Sequence, residues 1–344
     1  IRIIFNSAIP DAKNLRIFVH MSRRTKIIIA ILLLVGLAVL LYFIFRSPEE
    51  APKKASKAQP AVEEVPIAGC AVEDAVSEAM CDWLELPAAV AEAEGEYVVT
   101  HRAEMGGTLQ RNYTIHYDPD VYAALWVAYP LCSDHMATGR EEDWGYDPLI
   151  PEGEQTSVRS GYGASVPTVN YPKNFYARGH QLPNADRSGV PEMMAQTYYS
   201  TNMTPQIQNG FNGAIWAKLE EAVRSAVPEG DTLYVVTGAA FSRVGADDVV
   251  KTVVNKNDKK ELPVPNYYWK ALLKVKREAG VLVEAQTVGF WLPHDDLKGH
   301  SYADYAVSVD QIEEWTGLNL FPNLPDNLET QAESLSVWPS FQSY

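Results

Sequence analysis

The stretch "YARGHQLPNADR", residues 176–187, decides how the rest of this chain is read. An aromatic, extended run leads into it, and an arginine, a glycine and a histidine follow one another. In an extended segment, side chains two positions apart point to the same face. Arg178 and His180 are therefore expected to aim into one cleft. Gly179 lacks a Cβ and is expected to leave room for a close approach there. Taken alone, a surface arginine and a hydrogen-bonded histidine account for the same residues.

A second stretch lies downstream, "STNMTPQIQNGFNGAIWAKLEEAVR", residues 200–224. From Phe211 to Val227 its pattern is helical, with Ile215, Leu219 and Val223 on one stripe. Asn212, Trp216, Glu220 and Arg224 are spaced by four, so they share a face that drifts slowly round the helix. Asn212 offers a neutral carbonyl oxygen to a hard cation, and Glu220 can hold water bound to it. Glu220 and Arg224 also fit an ordinary surface pair, worth only ~0.2–0.5 kcal/mol.

Phosphodiester cleavage needs residues of these types together. A base must activate water, a cation must neutralise charge growing on the phosphoryl oxygens, and a fixed donor must hold the phosphate in line. Histidine suits the first task because its ordinary pKa, about 6.5, leaves it mostly neutral. Magnesium suits the second because it keeps several waters and needs only one or two protein oxygens. Arginine suits the third through its planar fork.

Taken together, "ARGH", "PNADR", "TNM-x-PQ" and "N-x-x-x-W-x-x-L-E" resemble the DNA/RNA non-specific endonucleases, the ββα-metal nucleases. Weaker likenesses at "LELPA" (84–88), "WVAYPL" (126–131), "VPNYYWKALL" (264–273) and "TGLNLFPNLP" (316–325) extend the resemblance over residues 83–325. It implies that His180 is the general base and that Asn212 binds Mg2+, with Mn2+ or another divalent cation as the alternative. It further implies that Glu220 orients metal-bound water and that Arg178 and Arg224 stabilise phosphate charge. Asn202 matches an asparagine near the family's active site, and Arg140, in "GREEDWGYDP", matches an arginine of this loop. The family motif is Asp-Arg-Gly-His, and here Ala177 replaces the aspartate. That removes a carboxylate beside the base and puts in question the support of the loop more than the chemistry. The implied substrates are DNA and RNA. The alternatives are a catalytically inactive nucleic-acid-binding or envelope adaptor protein on the same fold, or a hydrolase of other phosphate esters.

Around these motifs, residues 97–104, 111–119, 122–131, 232–241, 266–276 and 281–293 are rich in β-formers and read as strands. Residues 133–175 read as long loops, and residues 308–318 as a short helix opened by a Ser308–Gln311 capping box. Strands and helices do not alternate strictly, so the class is α+β rather than doubly wound. The expectation is a central, mainly antiparallel sheet flanked by helices, with a ββα finger holding the site. His116 reads as structural, and His294 and His300 as loop residues facing solvent.

The formal charge of −15 argues against a nucleic-acid partner, because phosphate binding favours a basic surface. Its distribution softens that objection. Residues 49–96 hold twelve Asp/Glu against three Lys, a balance of −9, whereas residues 170–226 hold five Lys/Arg against four Asp/Glu. The three cysteines, Cys70, Cys81 and Cys132, make no C-x-x-C pair, which excludes a zinc ribbon. Three unlinked thiols and a Cys70–Cys81 bridge both remain open.

Residues 27–45, "IIIAILLLVGLAVLLYFIF", are nineteen uncharged residues, long enough to approach the ~30 Å of a hydrocarbon core. Arg23, Arg24 and Lys26 precede them, which places the N-terminus in the cytoplasm. The expected organisation is an over-extended start (1–20), a signal anchor (21–46), an acidic Pro/Ala-rich linker with a short helix (47–82), the endonuclease domain (83–330) and a tail (331–344). The chain is then membrane-anchored with its catalytic domain exported to the periplasm or cell exterior. It should accordingly stay with membranes through a high-salt wash. Intact protein in the soluble fraction, beginning near residue 47, would refute the anchor.

Overall fold

The structure, a computed structural model, describes residues 83–88, 95–140 and 142–334, together with Trp338 and Phe341. The expected over-extended start, signal anchor and acidic linker, and the Cys70–Cys81 pairing, lie outside the described residues. Within them, no helix is long and apolar enough to cross a membrane, and Cys132 is a free, half-buried thiol.

Seven strands form the central sheet: β1 (Tyr97–Met105), β2 (Thr108–Asp118), β3 (Ala123–Leu131), β6 (Leu233–Ala240), β9 (Tyr267–Glu278), β10 (Val281–Pro293) and β11 (Ala306–Val307). They stand in that order and every neighbouring pair is antiparallel. The central strands are apolar almost throughout because the sheet is covered on both faces. On β3, Val127, Tyr129 and Leu131 join one core cluster while Trp126 and Ala128 join the other. On β9, Tyr268 and Leu272 face the first cluster, and Trp269, Ala271 and Leu273 face the second.

The first face carries the quoted motif. β4 (Tyr176–His180) pairs antiparallel with β5 (Met203–Ile207), and α1 (Pro191–Gln196) lies in the connection between them. The chain then runs through wide, π-type turns at Gln208–Trp216 into the regular helix α2 (Ala217–Ser225). This is the expected ββα unit, with one difference. The helix expected from Phe211 is irregular at its start, where Asn209, Gly210 and Gly213 have non-helical backbone. The stripe of Ile215, Leu219 and Val223 is buried as its spacing required. A small hairpin of β7 (Thr252–Val254) and β8 (Glu261–Pro263), which the sequence pattern did not signal, completes the strands.

The second face is covered by α3 (Val309–Thr316), through Val309 and Ile312, and by Leu320, Phe321 and Leu324 after it. Only half of the expected capping box forms. Ser308 accepts from the Gln311 amide, but the Gln311 side chain donates to Glu314 instead of reaching back. α4 (Asp326–Glu333) lies against β10, and beyond it Trp338 and Phe341 join the first core cluster.

Asp186 and Arg187, the end of the quoted stretch, fasten the ββα unit to the sheet. Arg187 is fully buried, and its guanidinium donates to the Asn112 side chain and main-chain oxygen on β2, to the Pro130 carbonyl on β3 and to the Asp186 carbonyl. Asp186 accepts from Tyr129 on β3 at 2.8 Å and from Arg224 on α2 at 3.0 Å. Four residues on three segments thus converge on one dipeptide. Arg187→Met would strand those carbonyls without donors, since losing one partner of a buried bond costs the full desolvation of the other. We expect a loss of about 3 kcal/mol or more in urea denaturation, with Arg187→Lys in between. A loss below about 1 kcal/mol would show that the clasp is dispensable.

Candidate active site

β4 presents Arg178 and His180 on one face, as its two-residue period requires. Arg178 Nη1 donates to the carbonyls of Val158 (3.2 Å) and Arg159 (3.3 Å), and its guanidinium carbon stands 3.7 Å over the Trp144 ring. Trp144 also touches the His180 ring, at 5.5 Å between centroids, and Tyr198 meets the same imidazole edge-on at 5.4 Å. The glycine between them has a different reason from the one expected. A Cβ on Gly179 would lie 2.2 Å from the Gln206 side chain, so Gly179 makes room for the neighbouring strand β5 and not for a ligand.

Asn212 leaves the wide turns before α2, and its Nδ2 donates to Gln208 Oε1 at 2.9 Å. That bond commits the amide nitrogen and leaves the carbonyl oxygen as the available donor atom. Glu220 follows on α2. Arg140, Arg178, His180, Asn212 and Glu220 together line one recess of about 270 Å3, closed by Pro183, Asn184 and Ala185. The recess adjoins a larger cleft of about 940 Å3, which shares Arg140, Arg178 and Asn212 and adds Lys173, Phe175 and Lys256.

The recess holds its histidine neutral. Burial, and then the positive charges of Arg140 and Arg178, push His180 down to about 3. Its Nε2 is buried and makes no hydrogen bond to the protein. Behind it, burial raises the Glu220 carboxyl. The buried Lys270 ammonium opposes that rise, Asp186 adds to it, and Arg224 opposes it. Lys270 is itself lowered by burial, donates to Thr237 Oγ1 at 3.1 Å and lies 4.7 Å over the Trp216 ring.

Comparison with known proteins places this arrangement. The model of the DNA/RNA non-specific endonuclease family matches residues 99–327. The chain belongs to that family. A nuclease of Nostoc sp. is 28% identical over 231 residues, which cover 66% of this chain and 77% of that protein. A nuclease of Serratia marcescens is 29% identical over 224 residues, 64% and 77% of the two chains. The mitochondrial nuclease EXOG of Danio rerio is 28% identical over 219 residues, 62% and 60%. A chain in the crystal structure of the EndoG/EndoGI complex shares the fold, with a TM-score of 0.54 and 19% identity over 75% of this chain and 96% of its own.

Five of the seven residues singled out in this family member meet in the recess, and two do not. Asn202 is fully buried. Its side chain closes the loop after β4, accepting from the Leu182 amide and donating to the carbonyls of Leu182 and Thr197. Arg224 pairs with Asp186 and does not line the recess, although its charge acts on the Glu220 carboxyl. The sequence reading missed Trp144, Asp186 and Lys270. Lys270 had a signal, a cation between the apolar residues Tyr267–Trp269 and Ala271–Leu273 of β9. His294 is not the solvent-facing loop residue expected, for it accepts from the Ile207 amide and meets the Pro265 carbonyl, each at 2.8 Å. His116 is paired with Glu96 at 2.8 Å, in keeping with a structural role.

The sign of the His180 shift is testable. With its folded value below the ordinary one, the unfolded chain binds the extra proton first, so the site loses stability as pH falls from about 6.5 toward about 3. Ala177→Asp restores a carboxylate near two arginines and the imidazole, which favours the charged ring. Its titration midpoint, followed by NMR, should move upward. An unmoved midpoint would show that position 177 is not coupled to His180.

Proposed function

We propose that this chain is an endonuclease that hydrolyses phosphodiester bonds in both DNA and RNA with the help of a divalent cation, Mg2+ in the first instance. The observation that carries the reading is the convergence of a neutral imidazole, two guanidinium groups, a carboxamide oxygen and a carboxylate on one recess. The donor set fits the cation. Asn212 offers one oriented neutral oxygen and Glu220 a carboxylate nearby, and magnesium needs few protein ligands because it keeps its waters. When bound at Asn212, the ion would supply charge neutralisation on the phosphoryl and leaving oxygens.

The chain's own residues perform the remaining work. His180, uncharged and with a free nitrogen, takes the proton from the attacking water. Burial beside Arg140 and Arg178 makes the charged imidazole costly, so it passes that proton on readily. The two arginines hold the phosphate, Arg178 being braced by Trp144 and two carbonyls. Glu220 accepts hydrogen bonds from water in the recess, with Lys270 balancing its charge from behind. Arg224, held by Asp186 outside the recess, favours the ionised form of Glu220.

The larger cleft of about 940 Å3 beside the recess supports a polymeric substrate over a small phosphate ester. Contacts to the phosphate backbone carry no sequence information, which is consistent with broad specificity. The presence of both His180 and Asn212 at one site favours catalysis over an inactive adaptor. We further propose that residues 27–45 tether the domain to a membrane with the catalytic part exported.

Plasmid DNA and RNA should both be degraded by the protein with Mg2+ and spared in EDTA. His180→Ala should lower kcat by ~10²–10⁴ while divalent-cation binding, read by calorimetry, persists. Asn212→Ala should weaken that binding itself. Normal cation affinity in Asn212→Ala would remove the ligand assignment, and retained turnover in His180→Ala would remove the base.

A further inference from the structure

The last two described helices carry carboxylates that the proposed nuclease site does not use. Asp310 and Glu313 lie one turn apart on α3, and Glu333 ends α4. One carboxylate oxygen from each lies within 4.8 Å of the others. Glu329, one turn before Glu333, adds a fourth negative charge that Glu333 feels. Among the described residues, no Lys or Arg forms an ion pair with any of the four.

Exposed acidic groups are common and need no ligand, but Glu333 is not exposed. The residue is 5% accessible, and its Oε1 is buried without a hydrogen-bond partner. Its neighbours are fixed. Glu313 Oε1 accepts from the Leu320 amide at 2.6 Å, and Thr287 on β10 donates to the Ala332 carbonyl at 2.7 Å, pinning the end of α4. Burial, then Glu313, Glu329 and Asp310, push the Glu333 carboxyl up to about 9. At neutral pH an oxygen so placed needs either a proton or a cation.

We propose that Asp310, Glu313 and Glu333 hold a calcium ion that clamps α4 to α3. Calcium takes oxygen ligands at about 2.3–2.6 Å in a flexible shell, so donors up to roughly 5 Å apart can share one ion. Magnesium demands a near-ideal octahedron and keeps its waters, which an irregular trio of carboxylates with one member buried serves poorly. The ion replaces the missing basic partner and satisfies the buried Oε1. The segment matched to the family ends at residue 327, and Glu333 lies beyond it. Asp310 and Glu313 lie within that segment, so only the third ligand falls outside it, and none of the three lines the recess at Asn212.

The test uses the full-length chain carrying Asn212→Ala, so that the proposed catalytic ligand is absent, and titrates it with CaCl2 by calorimetry. One Ca2+ should bind per chain and raise Tm relative to EDTA. Adding Glu333→Gln should weaken binding by on the order of tenfold or more and abolish the Tm shift. Asp310→Asn, at an exposed position, should do the same and decides the matter if Glu333→Gln does not fold. Absence of Ca2+ binding in the parent would mean that Glu333 is held by a proton, and the proposal fails. Binding that is unchanged in Asp310→Asn would place the ion elsewhere and also overturn it.

Discussion

The fold depends on one buried guanidinium. Arg187 reaches from the loop after β4 into the sheet and uses its planar fork to satisfy carbonyl groups on β2 and β3. Charges this deep persist only when their hydrogen bonds are complete, and here the adjacent Asp186 balances the charge. Because Asp186 also grips Arg224 of α2 and Tyr129 of β3, the strand bearing His180 and the helix bearing Glu220 are anchored to one point. A base and a ligand must be held to within a fraction of an ångström to act together. The clasp supplies that rigidity from behind the site, without occupying the recess.

Local composition explains how an acidic chain presents a site suited to phosphate. The excess of carboxylates is concentrated in residues 49–96, while the recess is lined by two arginines against one glutamate. Burial then does two opposed things there. It strips the charge from His180, where a proton acceptor is wanted, and it raises the Glu220 carboxyl, which Lys270 counters. A lysine buried beneath the glutamate is costly in isolation. It is tolerated because Thr237, the Trp216 ring and the Glu220 charge receive it.

Much of this was legible in the chain because periodicity survives folding. The six long strands fell where β-formers clustered, and the two-residue period of β4 aimed Arg178 and His180 together. Four-residue spacing grouped Asn212 with Glu220, although Asn212 lies in the wide turns between Gln208 and Trp216, before the regular helix α2. What stayed hidden was set by distant contacts. Gly179 is required by Gln206, twenty-seven residues away in sequence, and no local pattern carries that. Asn202 reads as a site residue but is consumed by main-chain bonds of its own loop. Arg224 reads as a partner for phosphate, yet Asp186 claims it. The β7–β8 hairpin is too short and polar to stand out.

The wide turns before α2 also bear on how this chain can change over generations. Each residue of an α-helix advances about 100° around the axis. Losing or gaining one position between Asn212 and Glu220 would swing one of them out of the recess and would turn Leu219 or Val223 toward water. The connection from β3 to β4, held mainly by side-chain bonds around Asp147 and Gln155, has no such angular bookkeeping. Length variation in residues 132–175 is confined to the stretches between Arg140, Trp144, Val158 and Arg159, which reach the site, while the turn bearing Asn212 keeps a fixed count.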